Sequence, residues 1–266
     1  MGDAGLFGPE SLTWRVNREG VLLLGGGRAL ILQVAHPLVA AGVAQHSRYQ
    51  EDPWGRLNRT LDLTNRIVFG STPTADEAAA QLWRVHGRVR GLAPDGRPYE
   101  ARDPELLMWV HATLVDTTLL VYQRYVGRLS IGELQRYYEE QLLLGEMYGV
   151  PRSHQPATYA EFNEYFLSMV EGDTLTVTDT LRDLTSMILS GGLPRVARPL
   201  VELLNLATVG MLPPRLRSDL GLGWGPRRER LLGASQAALR ALVPLLPGLI
   251  RDAPPARRAE RRARAA

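Results

Sequence analysis

Four of the five histidines lie in or beside apolar segments of the chain. His36 directly precedes Pro37 in a stretch rich in small side chains, whereas His86 and His111 lie in two later segments. A neutral imidazole binds metal ions and accepts or donates a proton near pH 7, so each is a candidate ligand, acid or base. Taken singly, His36 is more typical of a hydrogen-bonded histidine of the core, and His86 and His111 also fit that interpretation.

A second group with chemical potential is formed by Arg56, Arg59 and Thr60, which fall on neighbouring positions of one predicted helix. Two guanidinium groups beside a hydroxyl can hold a carboxylate, such as a haem propionate, through paired hydrogen bonds. The same spacing also fits a pair of surface arginines that bind no ligand. Spacing alone therefore leaves both interpretations open.

Several kinds of site are excluded by the sequence. The chain has no cysteine, which rules out disulfides, thiolate zinc sites, iron–sulfur clusters and cysteine nucleophiles. It also has no HExxH pair, nucleophile elbow or EF-hand spacing. The glycines at 25–27 lack both the GxGxxG spacing and a following Lys-Ser/Thr, and we interpret them as a flexible lead into a helix. Any metal must be bound by histidine, carboxylate or tyrosine.

The formal net charge is +3, and every one of the 31 basic residues is arginine. This uniformity indicates a compositional bias rather than selection for phosphate, so no nucleic-acid partner is expected. Six arginines concentrate between Arg251 and Ala266, which we predict to be a disordered tail capable of weak contact with a membrane surface. No charged segment followed by an apolar run begins the chain, so a cytoplasmic location is expected.

Glycines and prolines divide most of the chain into helices of ten to twenty residues, with little period-two alternation. Asp103, Ser130 and Thr158 are predicted to cap the starts of three of them. The predicted fold is all-α, with one domain over 1–250 and the tail at 251–266. The uncharged stretch Ala29–Ser47 contains Gln33 and Pro37, so we predict a buried, broken helix rather than a membrane span. Predicted helices run over Leu57–Phe69, Thr74–Arg90, Pro104–Val126, Ser130–Met147, Thr158–Val170, Thr178–Leu189, Pro199–Met211 and Arg227–Leu242, with a turn or short hairpin over Gly91–Arg102.

The order of many short motifs between Trp14 and Thr158 resembles the DUF2236 family. This is the oxygenase domain shared by the fungal mycophenolic-acid pathway oxygenase and the bacterial latex clearing proteins, or rubber oxygenases. The motifs are Gln33-Val34-Ala35-His36-Pro37, His46-Ser47, Asp52-Pro53, Arg56-Leu57-Asn58-Arg59-Thr60, Val68-Phe69-Gly70, His86-Gly87-Arg88-Val89-Arg90-Gly91, Tyr99, Asp103-Pro104, Trp109-Val110-His111-Ala112-Thr113-Leu114 and Gly149-Val150-Pro151. Each is short, and their shared order carries the resemblance.

The resemblance implies an all-α, globin-like core holding a b-type haem with a proximal histidine. By order, His86 corresponds to the haem-ligating histidine, and Arg56, Arg59 and Thr60 correspond to the family's Arg-x-x-Lys-Thr motif. The family's glutamate, proposed as a catalytic base, lies upstream of this motif. This sequence has His36 and His46 in that region instead. His111 is expected to lie behind the site or to be the alternative axial ligand.

The sequence therefore predicts a haem b-dependent oxygenase that uses dioxygen on a small or medium apolar substrate, such as an unsaturated isoprenoid. Predicted catalytic residues are His36 and Arg59; His86 is the iron ligand, and the other cofactor-binding residues are Arg56, Thr60 and His111. Two alternatives remain. One is a non-catalytic helical protein that binds haem or lipid, and the other is a non-haem iron site made by the three histidines 36, 86 and 111. The oligomeric state is not predicted.

Overall fold

A computed structural model describes residues 3–47, 53–190 and 198–264, with the side chains of 53–57 and 198–200 outside this description. The described residues form fourteen α-helices and one two-stranded sheet, which confirms the all-α prediction. The helices are α1 Leu12–Asn17, α2 Gly26–Ala35, α3 Pro37–His46, α4 Pro53–Phe69, α5 Thr72–His86, α6 Pro104–Tyr125, α7 Ile131–Met147, α8 Tyr159–Glu171, α9 Asp179–Ser190, α10 Arg198–Met211, α11 Pro214–Asp219, α12 Pro226–Leu242, α13 Gly248–Arg251 and α14 Pro254–Arg264. The strands are β1 Arg90–Leu92 and β2 Pro98–Glu100.

Side chains that accept from free backbone N–H groups fix where the central helices begin. Asp103 caps α6, and Ser130 and Thr158 cap α7 and α8, as the sequence predicted. The predicted end of α5 at Arg90 is wrong. Helix α5 stops at His86 because the chain turns at Gly87 and enters strand β1 three residues later.

Helix α6 runs through the middle of the core. Trp109 and Ala112 have no exposed surface, and the Trp109 indole N–H donates to the Leu32 carbonyl oxygen of α2 at 3.1 Å. A second link uses Arg28 of α2, which lies 2.6 Å from an Asp116 carboxylate oxygen on α6 and donates to the Met211 carbonyl oxygen at 2.7 Å. These contacts fix α2 and α10 against α6.

Close packing, rather than the predicted flexible entry into a helix, explains the glycines at 25–27. Gly25 ends a 3-10 turn, and the next two residues begin α2. A Cβ on Gly25 would lie 2.6 Å from a methyl group of Thr117, and one on Gly27 would lie 2.7 Å from the Thr208 hydroxyl. The glycines therefore allow close contact of this segment with α6 and α10.

The predicted break at Pro37 is confirmed. At this break the chain bends by 105° between the segments Gly20–Ala35 and Pro37–His46. No single helix in the described ranges is long and apolar enough to cross a membrane; this bent pair passes that test by length and composition only when the two segments are taken together.

The prediction of a disordered tail from residue 251 is wrong, because residues 254–264 form α14. Its Ala256 and Ala259 are completely buried in a cluster with Trp14 and Ile67. Alanines three positions apart lie on one face of a helix, so α14 docks that face, and Arg262 adds a hydrogen bond to the Phe69 carbonyl oxygen at 2.8 Å. The prediction considered the many arginines of this segment and not the two alanines that pack against the core.

Candidate functional site

His86 is the last residue of α5, and the local sequence explains why it lies there. The Ser71 hydroxyl caps the start of α5, and at its end the Gly87 N–H donates to the carbonyl oxygen of Trp83 at 3.1 Å. The imidazole of His86 is partly buried, and its Nδ1 is a buried atom without a hydrogen-bond partner. Burial lowers the pKa of His86 to about 4, so the ring is neutral at pH 7.

Arg102 also lowers the pKa of His86. Its guanidinium group lies 4.2 Å from the centre of the Trp83 ring and donates to the Trp83 carbonyl oxygen at 2.7 Å. A Cβ on Gly87 would lie only 2.6 Å from an Arg102 nitrogen, so a larger residue here would displace the guanidinium group from this position. The positive charge of Arg102 further disfavours protonation and lowers the pKa of His86.

His36 lies in the break between α2 and α3, with extended backbone angles between the two helices. Its Nδ1 is also buried without a partner. Burial is the main cause that lowers the pKa of His36 to about 4; Arg97 lowers it further, and Asp103 opposes the shift. His36 is consequently uncharged at neutral pH.

The segment from Arg97 to Asp103 contributes to the electrostatic surroundings of both His36 and His86. It contains β2 of the predicted hairpin, which is confirmed, with Gly91 of β1 paired to Tyr99 of β2. The Tyr99 hydroxyl donates to the Gln45 side-chain oxygen of α3 at 2.6 Å, which holds the hairpin against α3. Arg97 and Asp103 affect the pKa of His36, and Arg102 affects the pKa of His86, so charges of this segment act on both rings.

His111 has a different environment. It is 2% exposed, and its Nε2 lies 3.0 Å from the Gln141 carbonyl oxygen of α7. A carbonyl can only accept, so Nε2 carries the hydrogen and Nδ1 has the lone pair, which is buried without a partner. Burial lowers the pKa of His111 to about 4. The ring also packs edge-on against Tyr148 at 5.7 Å, so it is enclosed on several sides.

The Arg56 side chain lies outside the described residues. Arg59 is exposed and Thr60 is half-buried on α4. One turn after Thr60, the Thr64 hydroxyl lies 3.0 Å from the hydroxyl of Tyr148, whose burial raises its pKa to about 12. Tyr148 therefore links helix α4 to His111. The sequence analysis did not single out Tyr148, although it directly precedes the quoted Gly149-Val150-Pro151 motif.

Tyr148 also lines a groove of about 540 Å³ between α5 and the end of α7. Small residues, Ala79 and Ala80, form part of its wall, and Trp83 forms another part. Gly149 lies here with φ +92°, and a Cβ at this position would be 2.9 Å from the Trp83 ring. None of the three candidate histidines lines this groove.

The described residues contain no group of three or more His, Cys, Asp or Glu side chains placed to hold a metal ion. The described structure therefore does not form the non-haem iron site predicted from His36, His86 and His111. A haem is a different case, because its four nitrogens hold the iron and one protein side chain is a sufficient axial ligand. A neutral imidazole with an unpaired nitrogen, as in His86, fits that requirement.

A protein-family model described as "ER-bound oxygenase mpaB/B'/Rubber oxygenase, catalytic domain" matches residues 14–246. The chain belongs to this oxygenase family. The match contains all six predicted site residues, and it extends well beyond Thr158, where the sequence resemblance faded. It supports an oxygenase activity for the chain.

Two relatives in this comparison are uncharacterised proteins, one from Mycobacterium bovis and one from Mycobacterium tuberculosis. Each is 26% identical over 225 residues, which cover 82% of this chain and 87% of the relative. No solved structure matches the chain significantly. The assignment to the oxygenase family therefore depends on the family match, whereas the roles of individual residues depend on the site itself.

Proposed function

We propose that this member of the oxygenase family is a haem b-dependent oxygenase acting on a small or medium apolar molecule of the unsaturated isoprenoid type. The observation that carries the proposal is His86, a neutral imidazole with a buried, unpaired nitrogen at the position that corresponds to the family's haem ligand. A bound haem would supply the dioxygen chemistry that protein side chains lack.

His86 is a better axial ligand than His111 because its surroundings leave it available. The Nε2–H of His111 is bonded to the Gln141 carbonyl oxygen, and the ring is enclosed beside Tyr148. Coordination by His111 Nε2 would break that bond and leave a buried carbonyl oxygen unpaired, which costs about 1–3 kcal/mol. The other nitrogen, Nδ1, has no protein partner, but the ring is only 2% exposed, so a haem would have to displace core side chains to reach it. We assign His111 to positioning α6 against α7.

Arg102 keeps His86 in the form that binds iron. A protonated imidazole cannot coordinate a metal, and the nearby guanidinium charge favours the neutral ring. On α4, Arg56 and Thr60 supply a cation and a hydroxyl suited to a propionate carboxylate, and Arg59 is proposed as a second cation that serves the catalytic site. Helix α4 packs against α5, which carries His86.

His36 is proposed to exchange protons or hydrogen bonds with the substrate. Its pKa of about 4 keeps Nδ1 uncharged at pH 7, so this atom can accept a proton or exchange a hydrogen bond with a bound polar group. Because Nδ1 has no protein partner, such contact would not disrupt an existing hydrogen bond. Leu38 and Val39, which follow the break, pack against a small apolar cluster, so the surroundings of His36 are partly apolar.

Oxygen consumption separates this function from that of a non-catalytic haem or lipid carrier. The haem-loaded protein is incubated with squalene, an unsaturated isoprenoid, in an oxygen electrode, and carbonyl products are trapped with a hydrazine. We expect squalene-dependent oxygen uptake with matching carbonyl formation. Spectral changes on squalene addition without oxygen uptake or product would refute an enzymatic role for this substrate class and favour the carrier.

The role of His36 is tested with two variants. We expect His36→Ala to retain the haem spectrum while its oxygen uptake falls by about 10²-fold or more, the usual contribution of a proton-transfer group. His36→Asn places an amide near the position of Nδ1 and is expected to recover part of the hydrogen-bonding effect. Unchanged turnover in His36→Ala would exclude His36 from the reaction.

A further inference from the structure

Four large apolar side chains in the segment 242–250 project into solvent. Leu242 is 50% exposed, Leu245 79%, Leu249 73% and Ile250 68%. We refer to these four residues as the apolar patch. They occupy the end of α12, a 3-10 turn and α13. Concentrated exposure of this kind is unusual on a soluble surface and marks sites that contact a partner or a membrane.

The exposure of the apolar patch does not result from fraying of the chain. Directly after it, Arg251 donates to the buried carboxylate of Glu19, with nitrogen–oxygen distances of 2.6 and 3.0 Å. The Asp252 carboxylate lies 2.6 Å from Arg18, and the Ala253 N–H donates to the Arg18 carbonyl oxygen at 2.7 Å. These bonds anchor the segment to the body of the protein.

A cationic surface follows the apolar patch in the chain. On α14 the buried face carries Ala256 and Ala259, whereas Arg258, Arg261 and Arg264 are exposed. The three arginines recur every third position, so they share one side of the helix. The local acidic residues offset these charges only in part, because Asp252 and Glu260 share the single positive charge of Arg18 and leave one negative charge against the three arginines.

We propose that the apolar patch and the three exposed arginines dock the protein onto the surface of a bilayer containing anionic lipid. Leucine and isoleucine side chains would enter the boundary between headgroups and acyl chains, and the guanidinium groups would contact lipid phosphates and carboxylates. The family match ends at residue 246, so Leu249, Ile250 and all three arginines lie beyond it.

Charge favours a membrane over a second copy of the chain as the occupant. In a two-fold dimer the same surface meets itself, so the arginines of both copies would be brought together. An anionic bilayer instead neutralises them while it covers the apolar side chains. The proposal does not depend on haem, because none of these residues belongs to the candidate site.

Vesicle co-sedimentation tests the proposal with the full chain. Vesicles of phosphatidylcholine with phosphatidylserine are compared with vesicles of phosphatidylcholine alone, at low salt. We expect binding to the anionic vesicles, weakened by salt and at least tenfold weaker on the neutral ones. The haem-free His86→Ala protein is expected to bind equally well, which separates this proposal from the haem assignment.

Two sets of variants remove the two parts of the surface separately. We expect Leu249→Ser with Ile250→Ser to weaken binding at least tenfold on anionic vesicles. Replacing Arg258, Arg261 and Arg264 by Gln is expected to weaken it by about fivefold per arginine and to reduce the salt dependence. All substituted positions are exposed, so circular dichroism should show an unchanged fold.

Matched controls come from α7, on which Ile131 is 85% exposed and Arg136 is also exposed. Ile131→Ser and Arg136→Gln are expected to bind like the unsubstituted protein. Absence of binding to anionic vesicles, or equal loss in the controls, would overturn the proposal. A dimer in light scattering that Leu249→Ser with Ile250→Ser dissociates, without vesicle binding, would assign the patch to self-association instead.

Discussion

The buried imidazole of His111 makes a specific contribution to the pH dependence of stability. Its pKa is about 4 in the folded protein and about 6.5 in an unfolded chain. Between these values the unfolded state binds more protons, so the free energy of unfolding falls as the pH is lowered. The contribution is fully present above pH 6.5 and is lost progressively as the pH falls toward 4.

The size of this contribution follows from the two pKa values. Between pH 7 and pH 5, linkage predicts that His111 alone lowers the free energy of unfolding by about 2 kcal/mol. His111→Gln removes the titrating group, and the amide nitrogen of glutamine lies near the position of Nε2, so it can still donate to the Gln141 carbonyl oxygen. We therefore expect the variant to lose about 2 kcal/mol less than the unsubstituted protein over the same pH range.

The assay is urea unfolding followed by circular dichroism at pH 5, 6 and 7. His154 is an exposed histidine, and His154→Gln is the matched control, which should retain the full pH dependence. Working with haem-free protein keeps cofactor binding out of the comparison. If His111→Gln and the unsubstituted protein lost equal stability between pH 7 and pH 5, the burial argument for His111 would be refuted.

Three further predictions concern the framework around the site, and each is measured by urea unfolding at pH 7. Glu19→Gln leaves the Arg251 guanidinium without its buried carboxylate and is expected to cost about 2–3 kcal/mol; an unchanged midpoint would show that the pair does not hold the C-terminal segment. Gly149→Ala forces a side chain into φ +92° and against Trp83, at an expected cost of about 1–3 kcal/mol; a stabilised variant would contradict this. Ser130→Ala removes the cap of α7 and should cost about 1 kcal/mol, whereas no loss would show that the cap is dispensable.

The sequence predicted the helices well where local chemistry sets their ends. Asp103 and Ser130 were identified as caps because their side chains can satisfy free N–H groups, a property that does not depend on the rest of the fold. Pro37 was identified as a break for an equally local reason. The docking of α14 was missed because it depends on contacts of Ala256 and Ala259 with distant residues.

The candidate site was likewise predictable only in part, because residue types can be read from the sequence but tertiary contacts cannot. The residue types of His36, His86 and His111 marked them as candidates. The sequence could not show that His86 is available as a ligand whereas the His111 ring is bonded to α7. That distinction comes from the carbonyl oxygen of Gln141, a backbone atom thirty residues away that any residue type would supply. Tyr148 was missed because its contacts with Thr64 and His111 exist only in the folded chain.

The haem content of the purified protein, with and without the His86 side chain, tests the central claim most directly. Protein reconstituted with haem is measured by absorption spectroscopy and the pyridine haemochrome assay, alongside His86→Ala and the control His154→Ala, with circular dichroism to confirm folding. We predict one b-type haem per chain in the unsubstituted protein and the control, and loss of the Soret band in folded His86→Ala that added imidazole partly restores. Full haem retention in His86→Ala would contradict the assignment of His86 as the axial ligand.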